Sequence, residues 1–147
     1  RVALREILDA EFAGHRGMAA RAAQHTHAAR AMRAAWDSMG LDHLAPDPLR
    51  GVTLCALKVP AGVSAPVPPA VKARGVTVAG GLYPGLQKTY FRVGHMGYCI
   101  TQPEMLETTV RAVAGALREL GASGADEDAA AAAFRETYGA TSEAAAG

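Results

Sequence analysis

An arginine inside an apolar segment is the residue of this 147-residue chain best suited to chemistry. Arg92 lies between Phe91 and Val93, and two glycines, Gly94 and Gly97, follow it. Such an arginine either extends to solvent at the edge of a sheet or holds a buried anion, because a guanidinium is costly to bury without a partner. Its planar fork matches a carboxylate through two parallel hydrogen bonds. The residues alone leave both interpretations open.

The histidines and cysteines give weaker evidence of a functional site than Arg92 does. His95 is either a hydrogen-bonding neighbour of the arginine site or a turn residue. His25 and His27 are two residues apart, which on a helix puts them on different faces, so we expect them to face solvent and not to share a metal ion. The two cysteines, Cys55 and Cys99, lie in apolar runs, and we expect buried free thiols in an intracellular protein.

Several functional classes have no signal in the sequence. There is no Gly-x-Ser-x-Gly nucleophile turn and no phosphate-binding Gly-x-x-x-x-Gly-Lys motif, and the pair Gly80-Gly81 is too short for a dinucleotide fingerprint. A net charge of +1, from 15 basic and 14 acidic residues, gives no reason to expect nucleic acid or an anionic membrane as a partner. No apolar run approaches the roughly 18–20 residues of a membrane span. We therefore assign no catalytic, cofactor-binding or metal-binding residue.

Apolar spacing predicts the helices and their buried faces. We expect a helix over 1–39 in two pieces, a short helix from Pro68 to Arg74, a helix that begins with a capping box at Thr101–Glu104 and runs to Leu120, and an alanine-rich helix over 126–138. The predicted apolar stripes are Leu4, Ile7, Leu8 and Phe12 in the first piece, Ala28, Met32, Trp36 and Met39 in the second, and Leu106, Val110, Val113, Leu117 and Leu120 in the third helix. Gly40, Gly75 and Gly121 should end their helices.

Short β-branched and apolar runs predict the strands. We expect strands at Val52–Val59, Val76–Val78 and Thr89–Val93, and a last extended piece at Tyr98–Ile100. The order of elements implies an α+β domain, with helices packed on a small sheet.

A resemblance to a known family rests on two runs of residues. Val78–Leu82, followed by Tyr90–Gly97 with the letters Tyr-Phe-Arg-Val-Gly-His-Met-Gly, resembles the signature found late in class V, fold type I aminotransferases, which use pyridoxal phosphate. The branch it resembles most is that of the alanine–glyoxylate and serine–glyoxylate aminotransferases. Met32–Leu41 resembles the linker helix of that family, Val52–Val59 its first small-domain strand and Pro103–Leu120 its closing helix.

The resemblance implies a domain organisation. Residues 1–121 would be the carboxy-terminal small domain, a small and mostly antiparallel sheet covered by helices, with 1–40 as the amino-terminal linker helix. Residues 122–147 would be an alanine-rich helical extension, for which the family offers no counterpart. The large domain that binds pyridoxal phosphate would be absent from this chain.

The resemblance also implies a function for the full-length parent. In the family, the arginine of this motif binds the α-carboxylate of the amino or 2-oxo acid, a role that falls on Arg92. The parent would be a homodimer that moves an amino group from alanine or serine to glyoxylate, with pyridoxal 5'-phosphate bound mainly by the large domain. Lys58 and Lys88 lack the family context of the cofactor lysine. The compartment would be the peroxisome, the mitochondrion or the cytoplasm.

Two alternatives stay open. Another class V enzyme, of the cysteine desulfurase or phosphoserine aminotransferase type, would share the fold. A free-standing α+β module that binds a small anion without catalysis would use Arg92 as its anchor.

Overall fold

Helices and short strands follow one another in the α+β arrangement that the sequence predicts. The structure, a computed structural model, describes residues 5–6 and 17–144, with side chains as far as residue 140. The elements are α1 (Gly17–Ser38), β1 (Leu54–Lys58), α2 (Val67–Ala73), β2 (Ala79–Gly80), β3 (Tyr90–Gly94), α3 (Pro103–Glu119) and α4 (Glu127–Ala144), with 3-10 turns at Asp47–Leu49 and Gly97–Thr101.

Helix α1 buries the predicted stripe and ends where the sequence indicates. Ala28, Met32, Trp36 and Met39 all lie in the core. Gly40 adopts a positive φ of 67°, and the N–H of Leu41 donates to the carbonyl of Trp36 at 3.0 Å, as in a Schellman ending. The first predicted piece, with its stripe from Leu4 to Phe12, lies outside the described residues apart from residues 5–6.

The sheet has three antiparallel strands in the order β1-β3-β2, so β3 is central. Side chains alternate between its two faces. Cys55 and Leu57 of β1, together with Phe91 and Val93 of β3, point into the core that the helices complete. The residues between them point away from that core.

Two strand predictions were wrong. Val76–Val78 is not a strand, because its first N–H, that of Val76, donates to the carbonyl of Val71 and completes the ending of helix α2 at Gly75. The strand that pairs with β3 is instead Ala79–Gly80. Tyr98–Ile100 is not extended either: Gly97 has a positive φ of 72° and turns the chain into the 3-10 turn Gly97–Thr101.

The predicted stripe on α3 is confirmed, but its predicted start is not. Thr101 belongs to the preceding 3-10 turn, where its hydroxyl donates to the carbonyl of Tyr98, so it does not cap the helix. Gln102 precedes the first helical residue, Pro103, whose fixed φ suits that position. Leu106, Val110, Val113 and Leu117 are buried, Leu120 is partly buried, and Gly121 follows the helix with a φ of 100°.

Helix α4 packs against α1 and α3. It extends to Ala144, beyond the predicted end at residue 138, and Asp126 caps its start by accepting the N–H groups of Asp128 and Ala129. Phe134 is 1% exposed, and the hydroxyl of Tyr138 donates to the carbonyl of Ile100 at 2.9 Å. The described part of the predicted extension therefore shares the core of the rest of the chain.

Truncation of Phe134 should destabilise the protein. We expect Phe134→Ala to lower the free energy of unfolding by about 3–5 kcal/mol, because it removes a buried aromatic ring and leaves a cavity. Equilibrium unfolding in urea measures the change. Glu136→Ala, an exposed substitution on the same helix, is the matched control and should stay within about 0.5 kcal/mol of the unmodified chain. Equal stability of the two variants would mean that α4 does not share the core.

Candidate carboxylate-binding site

Arg92 lies in the middle of the central strand. Its Cα pairs with that of Ala56 on β1 and with that of Ala79 on β2. Because side chains alternate along a strand, the Arg92 side chain leaves the face opposite to Phe91 and Val93 and is partly exposed. The residues paired with it on the neighbouring strands, Ala56 and Ala79, carry only methyl side chains.

One hydrogen bond fixes the Arg92 side chain. Its Nε donates to the carbonyl of Gly80 at 2.9 Å. Among residues 5–6 and 17–144, the guanidinium has no acidic partner and no second hydrogen-bond partner. Its two terminal Nη groups are thus available to an anion, and their planar fork suits a carboxylate.

The turn that carries the Gly80 carbonyl is held by Tyr90. The Tyr90 hydroxyl oxygen accepts the N–H of Leu82 at 2.9 Å and that of Tyr83 at 3.1 Å. These backbone donors, Tyr83 first, lower the pKa of Tyr90. Gly81 is required here, because a Cβ on it would lie 2.6 Å from Cε1 of the Tyr90 ring. Sequence reasoning missed Tyr90, and its position two residues before Arg92 was the available signal.

Large apolar side chains flank this site in the chain and are exposed. They are Leu82 and Tyr83 after the Gly80 turn, and Met96 and Tyr98 after β3. Exposed apolar groups gathered in two short segments are typical of a surface that contacts another body.

His95 lies on the other side of the sheet from Arg92. Its side chain is 0% exposed, and its Nε2 is 3.3 Å from Sγ of Cys55. Its Nδ1 has no hydrogen-bond partner among the described residues. Burial lowers the pKa of His95 to about 4. Of the two interpretations of His95, a hydrogen-bonding neighbour of Arg92 is therefore wrong, and the residue is a neutral histidine of the core.

The Cys55 thiol is not activated by this histidine. Burial raises the pKa of Cys55 to about 11, so thiol and imidazole are both neutral near pH 7. A nucleophilic cysteine needs the opposite shift. Cys55 is a buried free thiol as predicted, whereas Cys99, also free, is only partly buried.

The remaining candidates do not form a site. His25 and His27 are partly buried, contrary to prediction: His25 Nδ1 is 2.9 Å from the carbonyl of Arg21, and the His27 ring packs on that of Tyr138 with centroids 4.3 Å apart. Within the described part of the chain, no group of three or more His, Cys, Asp or Glu residues could hold a metal ion.

None of the helices described is both long enough and apolar enough to cross a bilayer.

The buried His95 should make stability depend on pH. In the unfolded chain it titrates near 6.5, but in the folded chain only near 4, so its contribution is present above pH 6.5 and is lost as the pH falls toward 4. The full difference is on the order of 3 kcal/mol.

We expect His95→Gln, which cannot titrate, to weaken the pH dependence. The measurement is the free energy of unfolding at pH 7 and pH 4.5, in the unmodified chain and in the variant. Met18→Gln, an exposed substitution on α1 that removes no titratable group, is the control and should keep the dependence of the unmodified chain. An equal loss of stability on acidification in all three proteins would contradict the assignment.

The comparisons with known proteins begin with sequence. No family model matches this chain. An uncharacterized aminotransferase of Methanocaldococcus jannaschii is 36% identical over 112 residues, which are 71% of this chain and 27% of that protein.

The similar solved structures are also aminotransferases. Ureidoglycine–glyoxylate aminotransferase of Bacillus subtilis superposes with a TM-score of 0.78 at 22% identity, over 93% of this chain and 34% of its own. Pyridoxamine–pyruvate aminotransferase of Mesorhizobium loti gives 0.71 at 30% identity, over 92% of this chain and 34% of its own. Alanine–glyoxylate aminotransferase of Nostoc sp. gives 0.67 at 28% identity, over 79% and 30%.

The matches cover most of this chain but only a small part of each relative. The chain spans about a third or less of the length of each of these relatives. A match over 93% of the chain is longer than residues 1–121, so it includes part of the carboxy-terminal segment as well. By sequence and by fold, the chain is related to the class V aminotransferases, over a stretch that equals about a third or less of their length.

Proposed function

We propose that this chain supplies the arginine that binds the substrate carboxylate in a pyridoxal-phosphate-dependent aminotransferase, and that the arginine is Arg92. One observation carries the proposal. The guanidinium stands on the outer face of the sheet, is held through Nε alone, and has no acidic partner among the described residues. The parent would be an enzyme of amino acids and 2-oxo acids, which both carry a carboxylate next to the reacting carbon.

Arg92 would act by positioning. Two parallel hydrogen bonds from a rigid fork fix both the place and the rotation of a carboxylate. The substrate's reacting carbon is bonded to that carboxylate, so its orientation is fixed as well, which removes part of the entropic barrier of the reaction. The strand provides the rigidity, because β3 is paired on both sides at Arg92.

We propose glyoxylate as the amino acceptor and alanine or serine as the donor. Glyoxylate occurs in the names of two of the similar enzymes, those of Bacillus subtilis and Nostoc. The third name gives pyruvate as the acceptor, which like glyoxylate is a 2-oxo acid with a carboxylate, whereas the named donors differ in all three enzymes. This pattern supports an acceptor carboxylate that is bound in common and a donor that varies. The parent would work as a homodimer.

The cofactor would be bound mainly by the large domain. Around Arg92, the described residues do not fit a pyridoxal phosphate site. Lys58, on the neighbouring strand, is half-exposed and lies 3.7 Å from the carboxylate of Asp42. Gly80 and Tyr90 offer no cationic or acidic group for the phosphate or the pyridine ring. We therefore derive no step of the reaction through the cofactor.

Two other functions differ in a measurable way. A cysteine desulfurase or a phosphoserine aminotransferase would use cysteine or phosphoserine in place of alanine. Assays of the full-length parent with alanine, serine, cysteine and phosphoserine separate these enzymes. An anion-binding module would bind acetate through Arg92 without the large domain, which calorimetry on the 147-residue chain tests.

Substitution of Arg92 in the full-length parent tests the proposal. Charge-assisted hydrogen bonds contribute roughly 1.5–3 kcal/mol each, and loss of a bidentate pair should cost about 3–5 kcal/mol. We expect Arg92→Lys to lower kcat/KM for alanine by several hundred-fold or more, at about 1.4 kcal/mol per tenfold. The melting temperature should hardly change, since the side chain is on the surface of this domain.

Arg135→Lys is the matched control. Arg135 pairs with Glu107 at 2.7 Å on the helical side of the chain, and its substitution should leave kcat/KM unchanged. A value for Arg92→Lys within about threefold of the unmodified enzyme would end the carboxylate assignment. Lost stability with normal kinetics would mean that Arg92 is a structural residue at the sheet.

A further inference from the structure

We propose that Tyr90 is a positioning residue for Arg92, and that the turn it holds restricts the guanidinium to binding a carboxylate end-on, through Nη1 and Nη2. The proposal rests on the proposed function of Arg92, and it adds the residue that orients the arginine and the edge that it presents.

The Tyr90 hydroxyl oxygen is fully occupied by backbone donors. A phenol oxygen has two acceptor positions, and here the N–H groups of Leu82 and Tyr83 take both. The side chain is buried, with Tyr90 6% exposed as a whole. A buried aromatic ring has few alternative positions, so its oxygen is a fixed point for these two peptide groups.

Few other bonds among the described residues hold this turn, apart from the one that the N–H of Leu86 donates to the carbonyl of Tyr83 at 3.0 Å. Strand β2 has only two residues, and its pairing with β3 ends at Gly80 opposite Phe91. Leu82 and Tyr83 follow after Gly81 and are largely exposed. Without the Tyr90 hydroxyl, the peptide groups just after Gly80 would be free to exchange their bonds for water, and the Gly80 carbonyl would lose its fixed direction.

The close approach at Gly81 strengthens the coupling. A Cβ there would lie 2.6 Å from the Tyr90 ring and 2.8 Å from the carbonyl oxygen of Gln87. The absence of a side chain lets the turn lie directly on the ring. Tyr90 thus supports the turn through its ring at Gly81 and through its oxygen at the next two residues.

Only one edge of the Arg92 guanidinium remains available to a carboxylate. Nε carries a single N–H, and the Gly80 carbonyl accepts it at 2.9 Å. A carboxylate therefore cannot use the side edge formed by Nε and one Nη. It binds the end edge, where Nη1 and Nη2 offer two parallel donors.

Kinetics of the full-length parent test the coupling. We expect Tyr90→Phe to raise KM for both the amino acid and the 2-oxo acid roughly tenfold, with a smaller change in kcat, because the arginine is still present but less well oriented. Tyr138→Phe is the matched control: it also removes a tyrosine hydroxyl with a backbone partner, the Ile100 carbonyl, but on helix α4. It should leave both constants unchanged.

A double variant separates the two proposals. Adding Tyr90→Phe to Arg92→Ala should cause no further rise in KM, because Tyr90 acts through Arg92. A full additional tenfold rise in the double variant would overturn the positioning role. If Arg92→Ala has no effect by itself, the carboxylate assignment fails. If only Arg92→Ala has an effect, the assignment stands and the role of Tyr90 is refuted.

Nitrogen NMR of the arginine side chains supplies a readout that does not depend on activity. In the 147-residue chain, the Nε–H of Arg92 should exchange slowly with solvent, and Tyr90→Phe should make it exchange at least several-fold faster. Gly81→Ala is the second variant, should Tyr90→Phe fail to fold, and should have the same effect by displacing the turn. Unchanged exchange in the folded variants would overturn the proposal.

Discussion

The alternation of side chains along the central strand is the constraint on which the rest of the structure depends. Because β3 is paired on both sides, its register is fixed, and each residue is assigned to one face of the sheet. Phe91 and Val93 fall on the face that the helices cover, and Arg92 falls on the other. A slip by one residue would bury the guanidinium and expose both apolar side chains. The hydrophobic core thus determines where the charge stands.

The same alternation explains why the imidazole of His95, three residues after Arg92, and the thiol of Cys55 on the neighbouring strand lie on the opposite face of the sheet from the Arg92 side chain. His95 continues the inward series of β3 and meets Cys55, which faces inward from β1. Both groups are desolvated and neutral, which makes them a polar contact within an apolar core. Arg92 in β3 and His95, the first residue after the strand, therefore lie in separate environments, one facing out and one facing in.

Much of this arrangement could be predicted from the sequence, and the failures have a common physical origin. The stripes of α1 and α3 and the glycines after the helices were predictable because helical spacing and positive φ are local properties. Strand β2, by contrast, exists only because β3 lies beside it. The proposed role of Tyr90 depends likewise on bonds to Leu82 and Tyr83 that form only when the turn folds back on its ring. The residues alone singled out Arg92 but left a surface arginine open as an alternative, and the carboxylate role came only from the resemblance.

The bond between Arg92 Nε and the Gly80 carbonyl has a consequence for motion. A long arginine side chain usually reaches a ligand by rotating about its own bonds, which costs little and needs no movement of the backbone. Here the side chain is hydrogen-bonded to the same sheet that carries it, so it moves with the sheet as one rigid body. The distance between the guanidinium and a group outside this sheet then changes only when the sheet moves as a whole. Under the proposed function of Arg92, capture and release of a carboxylate would then depend on the angle at which the chain segments leading into the sheet hold it.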